Sequence, residues 1–153
     1  MTNPTNLEAW AMLQGYDPRH DYVGDLPAEP LPDDMLSPHF SVAEFACNHC
    51  GKLPDDKRPP AILLDALERI RAHYGVPVNI NSGYRCPVHN ANVGGATHSE
   101  HLDGKAADFW MKGIDPHQVY NDINPHWPNG GLGKYNTFTH IDARGYHSRW
   151  DET

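Results

Sequence analysis

Apolar positions in this chain recur with two different periods, and the switches between them mark its elements. Between Pro59-Pro60 and Gly75, the residues Ile62, Leu63, Leu67, Ile70 and Tyr74 fall on one helical stripe, which predicts a helix opened by proline and closed by glycine. Val76-Pro77-Val78-Asn79-Ile80-Asn81 alternates and reads as a strand, as do Ala106 to Met111 and Phe138 to Ala143. Asp115-Pro116 caps a second helix carrying Val119, Tyr120 and Ile123. Ser41 with Glu44 three positions on forms a capping box for a helical turn, and Cys86-Pro87 opens a short helical segment that Gly94-Gly95-Ala96 breaks. Gly130-Gly131-Leu132-Gly133 reads as a tight connection, and Trp150 is expected to close the core. Residues 1–36 hold Pro4, Pro18, Pro27, Pro30 and Pro32 among acidic residues. They are expected to form an irregular arm, with one helical turn around Leu7 to Leu13, ahead of a domain at 37–153. Helices and strands do not alternate regularly, so the pattern favours an α+β fold with an antiparallel sheet.

Composition narrows the picture modestly. A chain of 153 residues is long enough for one domain with a real core. A formal charge of -8 argues against nucleic acid and against anionic lipid as partners. No apolar run approaches the length of a membrane helix, so insertion is not expected. Met1-Thr2-Asn3-Pro4 is not a basic start followed by an apolar stretch, so no secretory signal is read and synthesis in the cytoplasm is expected.

The chemistry lies in placement. His101 and Asp108 stand seven positions apart, and His140 follows about thirty residues further on. Two imidazoles and one carboxylate are a complete protein set for a catalytic zinc ion, whose fourth position stays open for water. Gly104 offers a reversal that brings His101 and Asp108 to one point. On a strand, residues two apart share a face, so Asp142 points with His140, as general base or as the partner that orients a ligand. The combination indicates metal-assisted hydrolysis.

These residues sit within longer strings: Ser82-Gly83-Tyr84-Arg85, Asn90, Val93-Gly94-Gly95-Ala96, Ser99-x-His101-x-x-Gly104-x-Ala106-x-Asp108, and Gly131-x-Gly133-x-Tyr135 leading to Phe138-x-His140-x-Asp142. From about Phe40 to Trp150 the chain resembles the M15 peptidases, the zinc D-Ala-D-Ala carboxypeptidases and peptidoglycan endopeptidases that include phage endolysins. The resemblance implies a short antiparallel sheet flanked by helices, as in the hedgehog signalling domain. It implies zinc held by His101, Asp108 and His140, with Arg85 meeting the substrate carboxylate or the oxyanion and Ser99 holding the peptide. The other reading of Arg85 is a structural salt bridge to a helix end. One departure stands out. Endolysins of the family carry Asp-x-x-His, with the Asp as base, and here that position is Thr137. The base is then Asp142 or an acid from elsewhere, and His98 is a further candidate for the oxyanion or leaving amine.

Cys47-x-x-Cys50 and Cys86-x-x-His89 have zinc-knuckle spacing and together could form a structural site, with His49 as a competing ligand. A Cys47–Cys86 or Cys50–Cys86 disulfide, or three unlinked thiols, are the other readings. Two functions are expected to compete. One is a monomeric zinc peptidase cutting stem or cross-link peptides of bacterial wall. The other is a zinc-binding module, in a virion or tail, that grips wall peptide without turnover. An amidase would need another ligand order. Release by a holin or carriage in the virion would each bring a chain without a signal to the wall.

Overall fold

The strand predicted from Ala106 is the spine of the molecule. The computed structural model describes residues 31–153, so the helical turn expected at Leu7 to Leu13 and all but the end of the 1–36 arm lie outside the described residues. Met35–Ser37 (β1) and Phe40–Ser41 (β2) pair antiparallel, which places regular pairing at the end of the stretch expected to be irregular. Ser41 then caps Val42–Phe45 (α1): its hydroxyl accepts from Glu44 N while the Glu44 carboxylate accepts from Ser41 N at 2.6 Å.

Ala61–Tyr74 (α2) begins after Pro60 and ends at Gly75, whose φ of 70° suits a residue without Cβ. Its buried stripe is Leu63, Leu67 and Ile70, with Leu64 and Ala66 beside them. Ile62, expected on that stripe, is 58% exposed. It lies one step, about 100°, before Leu63, which is enough to turn it to solvent. Asn79–Ser82 (β3), Pro87–Asn92 (α3), Ala106–Trp110 (β4), Pro116–Ile123 (α4), Gly131–Lys134 (β5), Thr139–Asp142 (β6) and Ser148–Asp151 (β7) follow. The strands form one sheet in the order β3-β4-β6-β5-β7. Its pairs are antiparallel except β5 with β7, which run parallel. The fold is α+β, as expected.

The glycine run read as a connection is a strand. A Cβ on Gly131 would sit 2.3 Å from Asp142 Oδ2, and one on Gly133 2.4 Å from Trp150 Nε1, so these positions are bare because neighbouring side chains cover them. Trp150 does not close the core. It is half-buried on β7, over Gly133.

The two faces of the sheet divide the labour. Ala107, Phe109, Leu132 and Ile141 point into the core with Leu63, Leu67 and Ile70 of α2 and Val119 and Ile123 of α4. Each such Leu, Ile or Phe stabilises the fold by about 1.5–3 kcal/mol relative to exposure. The opposite face carries one transverse row in register: Ser82 beside Asp108, Asp108 beside His140, His140 beside Gly133, and Gly133 beside Trp150. Among the described residues no helix is long and apolar enough to cross a membrane.

Candidate metal centre

Backbone pairing sets the centre before any side chain is considered. Asp108 and His140 are register partners on β4 and β6, so their side chains rise together from one face. His101 arrives from the 3-10 turn Glu100–Asp103, whose first N–H groups are capped by Ser99 Oγ. Gly104 closes that turn with φ 73°, and a Cβ there would lie 1.8 Å from Lys57 O. The predicted reversal at Gly104 is thus what carries the chain from His101 back to Asp108.

The three side chains converge. Asp108 Oδ1 lies 3.2 Å from His101 Nε2 and 2.8 Å from His140 Nδ1. One donor atom of each residue lies within 4.8 Å of the others, and all three residues are buried. Burial alone would raise the Asp108 carboxyl, but hydrogen bonds from both imidazoles outweigh it and hold it well below the usual carboxylate range. Burial likewise pushes His140 down, and Asp108 and Asp142 on either side overcome this and raise it.

Each ring is also held from behind. His101 Nδ1–H donates to Gly83 O at 2.6 Å, and His140 Nε2–H donates to Asp142 Oδ2 at 2.7 Å. The oxygens behind the rings keep protons on His101 Nδ1 and His140 Nε2, so the near nitrogens, His101 Nε2 and His140 Nδ1, which hydrogen-bond to Asp108 here, are the ones that would turn lone pairs to a bound ion. Two imidazole nitrogens and a carboxylate oxygen, with tautomers fixed by outer partners, fit zinc.

Asp142 does not sit where a base would. Its side chain is fully buried, and its Oδ1 accepts from Gly131 N at 2.9 Å and Arg144 Nε at 2.9 Å. Its Oδ2 accepts from Arg144 Nη2 at 2.7 Å as well as from His140. Burial raises its carboxyl, yet His140 and Arg144 together hold it well below the ordinary range. A carboxylate so engaged is a poor proton acceptor and a good anchor. Of the two expectations for Asp142, general base or partner that orients His140, these hydrogen bonds match the second. Arg144 went unnoticed in the sequence, although its spacing of two beyond Asp142 repeats the His140–Asp142 interval.

Arg85 is also tied inward. Its Nη2 donates to Asp108 Oδ2 at 3.0 Å, its Nε to Ser82 Oγ at 3.0 Å, and its Nη1 to Asn90 Oδ1 at 3.3 Å. Three of the five guanidinium N–H groups are thus used, and the side chain still lines the cleft above the centre. Asn90, buried, returns its amide to Ala96 O at 2.9 Å, which closes the Gly94-Gly95 turn around the guanidinium. Ser99 also lines the cleft, where its hydroxyl accepts from His101 N at 3.2 Å and keeps its own proton to donate.

The cleft is about 840 Å³. Besides the three converging residues its wall holds Arg85, Arg144, His98, Ser99, Glu100 and Glu152, and the apolar Val93, Tyr135, Phe138 and Trp150. Trp150 packs its ring 4.9 Å from that of His140 and donates Nε1–H to Tyr135 Oη at 2.9 Å.

The cysteines gather apart from this cleft. One sulfur each from Cys47, Cys50 and Cys86 lies within 4.8 Å of the others, and all three are free thiols. His89 is not part of that group; its ring stacks on that of His49 at 6.2 Å.

A search of curated proteins finds no match to the chain. A family model described as Peptidase M15 matches residues 38–142, a span that contains the converging residues, Arg85 and Ser99, and the chain belongs to this family of metallopeptidases.

Proposed function

We propose that this protein is a zinc peptidase that hydrolyses peptide bonds in the stems or cross-links of bacterial peptidoglycan. The observation that carries the reading is the convergence of His101 Nε2, Asp108 Oδ1 and His140 Nδ1 on the floor of an open cleft. Zinc bound there would acidify water and polarise a carbonyl. The protein's part is to hold and to orient. Gly83 O and Asp142 fix the two ring tautomers, and Arg85 draws off the second oxygen of Asp108 so that the first faces the imidazoles.

Substrate binding falls to the cleft wall. The two N–H groups left on Arg85, and Arg144 beside it, suit a peptide carboxylate or the oxygen that gains charge during attack. The Ser99 hydroxyl suits a backbone carbonyl. Trp150, Tyr135 and Phe138 offer flat apolar surface to small side chains such as alanine's. With Asp142 turned away, the proton acceptor is sought among the carboxylates of the wall, Glu100 and Glu152. Partners other than wall peptide are not expected. Phage origin, with holin-type release or carriage in the virion, is the setting that suits this substrate.

The engagement of Asp142 by Arg144 favours one competing reading, a wall-peptide module that binds without turnover. Mass spectrometry of purified muropeptides after incubation with the zinc-loaded protein separates the two. Cleaved stems that vanish with a chelator support the peptidase. Intact muropeptides that nonetheless co-purify with the protein would replace it with the binding module. A released terminal D-Ala would mark a carboxypeptidase, and an opened cross-link an endopeptidase.

A further inference from the structure

The segment Cys47 to Lys52 is a closed knuckle. Cys47 N donates to Lys52 O at 2.9 Å, and Gly51 N donates to Cys47 O at 2.8 Å. Gly51 has φ 71°, a conformation that lets the chain double back directly after Cys50. The Cys47 sulfur accepts from Cys86 N at 3.4 Å. Cys86 in turn caps α3, its sulfur accepting from His89 N at 3.4 Å. Amide N–H groups aimed at two of the sulfurs fix where those sulfurs point.

Three sulfurs gathered without a bond between any two, two from one turn and the third from the cap of α3, match the donors of a structural zinc site. We propose that Cys47, Cys50 and Cys86 bind a second zinc ion whose role is structural, with the fourth donor supplied by rotation of one ring of the stacked His49–His89 pair. The ion ties the turn after α1 to the start of α3. One backbone hydrogen bond already bridges that region, Tyr84 N to Phe45 O at 2.9 Å, and the next residue, Arg85, donates N–H to His101 O at 3.0 Å. Because Cys86 follows Arg85 directly, closing the thiol site fixes the base of the loop that presents Arg85 and Gly83 O to the catalytic centre. This site stands on its own residues and is independent of the reading of the catalytic centre.

The test uses the full chain, purified in reductant, with metal analysis and cobalt substitution. The wild-type chain is expected to hold close to two zinc ions. Asp108→Ala is expected to keep one, and its cobalt form to keep the intense near-ultraviolet absorption of sulfur-to-cobalt charge transfer. Cys86→Ser is expected to lose that absorption and one ion. Should Cys86→Ser fail to fold, Asp108→Ala carries the test alone. A metal-free Asp108→Ala chain without thiolate absorption would overturn the proposal, as would a Cys47–Cys86 or Cys50–Cys86 disulfide in freshly isolated protein.

Discussion

His101, Asp108 and His140 are all buried, and two of them are neighbours on adjacent central strands. Cys47, Cys50 and Cys86 run from buried to exposed, on a turn and a helix cap. The first set is positioned by sheet register and opens on a cleft. The second is positioned by local hydrogen bonds and joins two stretches of chain. On the readings proposed above, these are two uses of one kind of chemistry. A site that must keep a position open needs ligands fixed by the scaffold, since the ion alone cannot close the geometry. A site that only ties loops can sit at the surface and borrow its rigidity from the ion.

The largest expected effect breaks the first set alone. Asp108→Ala removes a proposed zinc ligand and the anchor of Arg85, so hydrolysis should fall by more than the roughly 100-fold seen when a partner behind a ligand is lost. Cys50→Ser should lower the melting temperature and leave turnover of the folded protein largely intact. Comparable turnover in both variants would erase the distinction between the two sites.

Asp142→Asn sharpens the comparison from behind the ligand. The amide keeps the shape but gives up the charge facing Arg144 and His140. Zinc affinity at the catalytic centre should fall by about 10–100-fold, while kcat at saturating zinc changes little. A loss of about 10²–10⁴ in kcat with unchanged zinc affinity would instead restore Asp142 as general base.

Arg85 belongs to both regions, reaching Asp108 with its side chain and Cys86 with its backbone. Arg85→Lys keeps the charge and loses the fork that spans Ser82, Asn90 and Asp108. The expected cost is about 1–3 kcal/mol, read as a fall in kcat/KM. A lowered melting temperature with kinetics unchanged would assign the fork to structure alone.

Much of this was legible in the sequence because it depends on short-range rules. The Ser41–Glu44 box, the Gly75 stop and the Asp115 cap each follow from residues within one turn of each other. That His101 and Asp108 would converge was legible because the reversal at Gly104 and the strand from Ala106 lie in one short stretch of sequence. Three features were not. Gly131 and Gly133 read as a turn, since nothing local says that Asp142 and Trp150 will lie over them. The parallel strand β7 pairs through a register the chain pattern does not encode. Same-face spacing placed Asp142 with His140, as base or as orienting partner, while its engagement by Arg144 depends on burial, which spacing does not report.

Acid is the last lever on the comparison, because it protonates imidazole and thiolate ligands alike, and a third group must first be separated out. His73, in the last turn of α2, lies edge-on to Tyr74 with ring centroids 4.7 Å apart. Burial lowers its pKa; the nearby Asp122 opposes this and His126 reinforces it. With the folded pKa depressed, the unfolded chain takes up the proton first. The stability from this group is therefore whole above the ordinary histidine value of about 6.5 and is lost as pH falls through the lower folded value. Melting curves of the zinc-saturated protein between about pH 7.5 and 5 should decline, and in His73→Gln the decline should be shallower by about 2 °C or less, the smallest effect in the series. If the two proteins decline in parallel, His73 drops out as a source of the acid sensitivity, and the two proposed metal clusters are the next to test. The same titration on Asp108→Ala and Cys50→Ser then apportions it between them.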